Sequence, residues 1–132
     1  MKQTVRKSKQ AAWTVFARYI RMRDCLKTTD SLEYGECVSC DRTLPFAELD
    51  AGHFIPKKSG NYFSERGVNA QCHKCNRFLS GNQLPYRREI IERYGEGVDL
   101  ELEEEARQSI RFTVQGLQDL RKHYQSLIDG LL

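Results

Sequence analysis

The chain has 132 residues, a hydrophobic fraction of 39% and a formal net charge of +3. This length is typical of one domain, and the modest apolar fraction implies that its small core needs support from a metal ion or a partner. The sequence shows neither a signal peptide nor an apolar run long enough to cross a membrane, so we expect a cytoplasmic protein with no membrane partner.

Charge is distributed unevenly along the chain. Residues 1–30 contain eight basic and two acidic side chains, residues 31–98 contain nine of each, and residues 99–132 contain four basic and seven acidic. A basic front end suits a polyanion, because the release of counterions from phosphates supplies much of the affinity for nucleic acids. The alternative is a solvated tail with a few charges on a helix face.

The first predicted elements are a loose basic arm over residues 1–10 and a helix over residues 10–27. Four apolar residues of this helix recur at helical spacing: Trp13, Phe16, Ala17 and Ile20. We interpret them as core rather than as a platform for stacking bases. Cys25 is expected to be buried on the same helix.

Further elements follow in chain order. Residues 43–54 are predicted to form a hairpin that turns near Leu44-Pro45 and carries His53 on its second strand. A polar loop follows, and helices are predicted near Asn76 and over residues 85–93, 99–109 and 113–128, with a break at residues 95–97. An apolar stripe near the C-terminus is interpreted as intramolecular core rather than a dimer face: Phe112, Leu117, Leu120, Tyr124, Leu127 and Ile128.

Two Cys-x-x-Cys pairs occupy the middle of the chain, Cys37 with Cys40 and Cys72 with Cys75. In a reducing cytoplasm such pairs bind metal more often than they form disulfides. Zn²⁺ prefers four soft ligands in a tetrahedron, so the set predicts a structural zinc; four reduced cysteines without metal are the alternative. A full thiolate set leaves no open position for catalysis, and none for the neighbouring His73.

His53 lies between the two cysteine pairs and suggests an enzyme. A neutral histidine can act as general base near pH 7, and Mg²⁺ or Mn²⁺ held by oxygen ligands can bind a scissile phosphate. We assign His53 as the base of phosphodiester hydrolysis, with Asp50 and Asn76 as ligands of the catalytic metal. The alternatives are a packed histidine, a surface carboxylate and an ordinary helix N-cap.

Several short motifs carry a resemblance to known proteins: DAGH at 50–53, F-x-E-R at 63–66, QC-x-x-CN at 71–76, SGN at 80–82 and PYR at 85–87. Two Cys-x-x-Cys pairs that flank a strand histidine resemble the HNH (ββα-metal, His-Me finger) endonuclease superfamily. Taken together, the motifs are similar to the NinG/Rap recombination proteins of lambdoid phages, from about Trp13 to the C-terminus.

The resemblance implies an α+β fold with a zinc-stapled ββα-metal (HNH or treble-clef-like) core flanked by N- and C-terminal helices. It further implies a structure-specific endonuclease that cuts branched recombination intermediates, such as Holliday junctions or D-loops, as a phage or prophage protein in a bacterial host. Two positions depart from the superfamily pattern. Gly52 stands where many members place a metal ligand directly before the base, and Gly67 stands at the usual central asparagine, with Asn69 out of register. Glu65 is therefore a rival to Asp50 as metal ligand.

We expect one compact domain organised as a basic arm and helix (residues 1–30), an HNH-like zinc-bound nuclease core (31–95) and a C-terminal helical segment (96–132). Seven basic residues are predicted to surround the site and to contact DNA phosphates rather than base edges: Lys57, Lys58, Arg66, Lys74, Arg77, Arg87 and Arg88. Each could instead be a surface charge. A homodimer would suit an enzyme that makes two symmetric cuts.

Two other functions remain open. One is a non-catalytic zinc-binding module that recognises nucleic acid in a recombination complex, and the other is a protein-interaction module that uses the acidic C-terminal helices. Asp50, His53 and Asn76 favour the enzyme, because a pure binding module has no need of them.

Overall fold

The computed structural model describes residues 4–132 and has an α+β fold. Its helices and strands are α1 (Val5–Thr29), β1 (Tyr34–Glu36), β2 (Thr43–Pro45), β3 (Leu49–His53), β4 (Val68–Cys72), α2 (Gln83–Tyr94), α3 (Val98–Arg107) and α4 (Val114–Leu131). A 3₁₀ turn at Phe46–Glu48 precedes β3, and one wide helical turn at Lys74–Phe78 follows β4. Within residues 4–132, no helix is both long and apolar enough to cross a membrane.

Helix α1 begins earlier than the sequence predicted. The Thr4 hydroxyl accepts a hydrogen bond from the Lys7 amide at 3.1 Å and caps the first turn, and Asp30 ends the helix in the left-handed conformation with φ of 59°. The predicted loose arm is therefore wrong for residues 5–10, which are helical. Residues 1–3 lie outside the described part of the chain. The N-cap, rather than the first apolar residue, sets the start of the helix.

The predicted hairpin over residues 43–54 is also wrong. β2 pairs antiparallel with β1, whereas β3 pairs antiparallel with β4, so the two halves of that segment belong to different two-stranded sheets. Pro45 and the 3₁₀ turn that follows it redirect the chain between them. His53 does lie on a strand as expected, at the end of β3, where its Cα partner is Val68.

Helix α1 packs on one face of the β3–β4 sheet and is anchored there by a buried carboxylate. Asp24 is fully buried, and its Oδ2 accepts a hydrogen bond from the Ala70 amide of β4 at 2.7 Å. The Arg23 guanidinium donates to Asp24 Oδ1 at 2.9 Å and to the Val68 carbonyl at 3.1 Å. A buried charge that is paired and hydrogen-bonded in this way fixes the position of the helix on the sheet.

The C-terminal helices complete the core. α4 packs along α1, where Phe16 and Tyr124 meet edge to face with ring centroids 4.8 Å apart. Leu117, Tyr124 and Ile128 are buried, as the apolar stripe predicted. The predicted break between α2 and α3 is confirmed, since Gly95 and Gly97 both have positive φ, at 101° and 94°.

Candidate functional site

The four paired cysteines converge on one point. The first pair lies in the turn between β1 and β2, Cys72 ends β4, and Cys75 lies on the Lys74–Phe78 turn. Their four sulfur atoms all lie within 4.8 Å of one another, so the set could bind a metal such as zinc. The Ser39 amide lies 3.4 Å from Cys37 Sγ, and the Cys75 amide lies 3.4 Å from Cys72 Sγ.

Two of these thiols differ in acidity. Burial opposes ionisation of Cys72, but the Cys75 amide and the Arg42 side chain donate to its sulfur and lower its pKa to about 6. Burial raises the pKa of Cys37 to about 12. The protein therefore favours the thiolate of Cys72 and opposes that of Cys37, and a bound cation would favour the thiolate form of the whole set.

His53 faces a cavity of about 640 Å³ that opens between α1 and the Lys74–Phe78 turn. Its Nε2 lies 3.1 Å from the carbonyl oxygen of Tyr62, and its ring stacks on Trp13 with centroids 5.2 Å apart and planes 13° apart. A carbonyl can only accept, so the contact places the proton on Nε2 and leaves the Nδ1 lone pair free.

The surroundings of His53 favour the neutral ring. Burial lowers its pKa below the ordinary value of 6.5; the Tyr62 carbonyl partly opposes this effect, and the positive charge of Lys57 adds to it. A histidine that is neutral near pH 7, with one nitrogen bonded and the other free, can accept a proton from water.

Asp50 and Asn76 also line this cavity and contact each other. The Asn76 Nδ2 donates to Asp50 Oδ2 at 3.0 Å, and Arg77 donates to both carboxylate oxygens, at 2.8 Å and 3.0 Å. His73 Nε2 lies 3.3 Å from Asp50 Oδ1. Burial raises the pKa of Asp50, but the hydrogen bonds from Arg77 and Asn76 outweigh burial and lower it.

The structure brings only some of the seven predicted DNA-binding residues to the cavity. Lys57 and Arg77 line it. Arg66 pairs with Glu101 at 2.9 Å, Arg87 pairs with Asp99, and Arg88 lines a separate groove beside Glu89 and Glu92. Lys58 and Lys74 are exposed. Glu65, the rival ligand, is outside the cavity lining and lies near Tyr124 of α4.

Three residues of α1 that the sequence did not assign to the site line the same cavity: Trp13, Ala17 and Arg21. Phe16 and Ile20 are fully buried, as expected of core residues. Trp13 and Ala17 are only half-buried: Trp13 packs against the core formed by Phe16 and Ile20, and both Trp13 and Ala17 also face the cavity. The i, i+4, i+8 spacing of the three would have marked a second face of the helix. Cys25 is fully buried, as predicted.

Comparison with known proteins points to one family. A family model described as "NinG: Bacteriophage Lambda NinG protein" matches residues 1–131. Proteins described as "Protein ninG" from Escherichia phage lambda, Escherichia phage 933W and Salmonella phage P22 are 35%, 36% and 35% identical over 97 residues. Each alignment covers 72% of this chain and 47% of the relative, so the chain spans about half the length of the curated relatives it matches. No solved structure gives a significant match.

Proposed function

The chain belongs to the NinG family of phage proteins, and from this premise we propose that it is a metal-dependent DNA endonuclease of the HNH (ββα-metal) type. The observation that carries the proposal is the state of His53. Its Nε2 lies 3.1 Å from the Tyr62 carbonyl oxygen, burial lowers its pKa, and it faces a cavity whose lining includes Arg21, Lys57 and Arg77. In this role Nδ1 takes a proton from the attacking water.

The order of elements around His53 suits this chemistry. β3, β4 and the Lys74–Phe78 turn follow one another as strand, strand and helical turn, and the four cysteines tie the turn to the β1–β2 hairpin. A structural Zn²⁺ in this cluster fits the sulfur geometry and the hydrogen bonds donated to the sulfurs. The zinc would fix Asn76 relative to His53, because Asn76 follows Cys75 directly.

The predicted catalytic cation, Mg²⁺ or Mn²⁺, fits the oxygen donors of the cavity in part. Asn76 donates a hydrogen bond to Asp50 through its Nδ2, which leaves the Oδ1 of Asn76 as an available acceptor. Asp50 stays a predicted ligand, but its oxygens already accept from Arg77 and Asn76, so it would exchange those contacts for the metal. When bound, the cation would neutralise charge on the scissile phosphate and its leaving oxygen.

The DNA phosphates would enter along the cationic wall of the cavity. Lys57 and Arg77 are exposed there, and Arg21 reaches the same cavity from α1. Arg66 and Arg87 are engaged with acidic residues of α3 and would need to leave them to contact DNA. Branched recombination intermediates are the substrate class that the family resemblance implies, and a homodimer would allow paired cuts.

The decisive experiment compares cleavage of a synthetic four-way junction and a matched linear duplex by wild type and His53→Ala, with Mg²⁺ or Mn²⁺. Loss of the base should slow cutting by about 10²–10⁴-fold while leaving junction binding intact. His123→Ala is the matched control, because His123 is exposed on α4 and absent from the cavity lining. Binding without cutting by wild type in every metal would favour the non-catalytic recognition module.

A further inference from the structure

Gln71 carries a buried polar atom that has no hydrogen-bond donor within residues 4–132. The side chain is fully buried, and its Nε2 donates to Ser39 Oγ at 2.9 Å and to the Gly81 carbonyl at 2.6 Å. Its Oε1 has no partner. Because the Gly81 carbonyl can only accept, the amide cannot be turned round. Because a buried acceptor without a partner is unfavourable, a donor or a cation belongs beside this oxygen.

The unpaired oxygen lies beside Gly52, the residue directly before His53. A Cβ built at Gly52 would lie 2.0 Å from Gln71 Oε1 and 3.0 Å from Asn76 Oδ1. The amide of Gln71 therefore occupies the space that a side chain at position 52 would take. Both amide oxygens lie near one point, so they are within about 5 Å of each other.

Asn76 Oδ1 is held in this direction by Asp50. The Asp50 carboxylate accepts from Asn76 Nδ2 at 3.0 Å, which fixes the amide plane and leaves Oδ1 to face Gly52. Within the described residues, no donor reaches Asn76 Oδ1. Two acceptor oxygens thus converge beside Gly52, the residue that precedes the base, and uncharged oxygen donors of this kind are ligands for a hard cation.

We propose that Gln71 Oε1 and Asn76 Oδ1 are the protein ligands of the divalent cation in place of Asp50, whose oxygens stay with Asn76 and Arg77, so that Gln71 replaces the ligand that position 52 lacks. This inference rests on the proposed nuclease function for the role of the cation, but the site itself is defined by the two oxygens. Both ligands are neutral, so the affinity for the ion alone is low, and a bound DNA phosphate strengthens it by supplying the negative charge.

The test uses zinc-loaded full-length protein, with one zinc per chain verified, and Mn²⁺ as the paramagnetic probe. Side-chain amide signals of Gln71 and Asn76 should broaden in ¹⁵N spectra at substoichiometric Mn²⁺, before those of Gln83, an exposed amide that lines the cavity with His53 and Asn76. Gln71→Met and Asn76→Ala should each weaken Mn²⁺ binding about 10-fold by electron paramagnetic resonance. The matched control Gln83→Met should bind as wild type does.

Selective broadening with weakened binding in both variants supports the site. The site is overturned if the Gln71 signals do not broaden, or if Gln71→Met folds and binds Mn²⁺ with wild-type affinity. A water molecule is then the partner of Gln71 Oε1. If Gln71→Met does not fold, the wild-type broadening pattern and Asn76→Ala decide. Mn²⁺ binding at Gln71 without any DNA cleavage would support the cation site and refute the nuclease function. DNA cleavage without Mn²⁺ binding at Gln71 would support the nuclease function and refute the cation site.

Discussion

The contact between Gly52 and Gln71 gives a stability prediction whose size follows from the structure. In Gly52→Ala the new methyl group would lie 2.0 Å from Gln71 Oε1 and 3.1 Å from Gln71 Cδ. The backbone of Gly52 is ordinary strand, so strain in φ is not the cause. The Gln71 amide has to move, and it then loses its hydrogen bonds to Ser39 and Gly81.

The expected loss of unfolding free energy in Gly52→Ala combines two terms. Two buried hydrogen bonds contribute about 1–3 kcal/mol together, and forcing a methyl into a filled space costs about 1–3 kcal/mol. Partial relief of the unpaired Oε1 offsets some of this, so we expect the free energy of unfolding to fall by about 2–4 kcal/mol. In urea this lowers the unfolding midpoint by about 1–2 M.

The assay is urea unfolding of zinc-loaded protein, followed by the fluorescence of Trp13, the single tryptophan of the chain. Gly130→Ala is the matched control, because Gly130 lies in α4 with nothing within 4 Å of its added Cβ, and it should be neutral or stabilising by up to about 1 kcal/mol. An unchanged midpoint in Gly52→Ala would show that the Gln71 amide is not held against Gly52.

Three further predictions concern other parts of the molecule. Cys72→Ser should abolish stoichiometric zinc binding and lower the unfolding midpoint, measured by metal analysis and urea titration; a variant that keeps one tightly bound zinc would contradict the four-cysteine set. Burial lowers the pKa of His53, so the contribution of this residue to stability is fully present above about pH 6.5 and is lost as the pH falls through the folded pKa. His53→Gln should therefore flatten the dependence of the unfolding free energy on pH between about 7 and 5. Equal pH dependence in the wild type and the variant would refute this. Asp24→Ala removes the partner of Arg23 and of the Ala70 amide, and should cost about 3–5 kcal/mol of unfolding free energy; a loss below about 1 kcal/mol would mean that solvent replaces the carboxylate.

The parts of the fold that the sequence predicted are those governed by local spacing. The spacing of each Cys-x-x-Cys pair predicts a local turn that brings its two sulfurs together, so the cysteine cluster was predictable. The approach of one pair to the other depends on the rest of the chain. The apolar stripe of α4 and the glycine break between α2 and α3 are likewise local signals.

β4 was missed although its sequence alternates, with Val68, Ala70 and Cys72 apolar and Asn69 and Gln71 polar. All five of its residues are buried, and two of them, Asn69 and Gln71, are polar side chains whose partners come from distant segments. Such alternation is typical of a strand with one face in water, so the burial of its polar face is visible only once the distant partners are known. The pairing of β3 with β4 was therefore hidden, although His53 was placed on a strand correctly.

The role of Trp13 was hidden for a different reason. It depends on how α1 is rotated against β3, which is set by the buried Asp24 and by packing with α4 rather than by the sequence near Trp13. Gln71 was noted only as part of a family motif, since an unpaired buried oxygen is visible only once its surroundings are known.

The aromatic contacts around His53 link the site to the packing of α4 on α1. His53 stacks on Trp13, Trp13 touches Phe16 with ring centroids 5.6 Å apart, and Phe16 packs on Tyr124. The ring stacked on the histidine is thus supported, through Phe16, by Tyr124 of α4. The histidine therefore acquires its rigid setting only once α4 has docked on α1. Loss of the Tyr124 ring would leave the cysteine cluster able to form beside a histidine whose stacking partner is less firmly held.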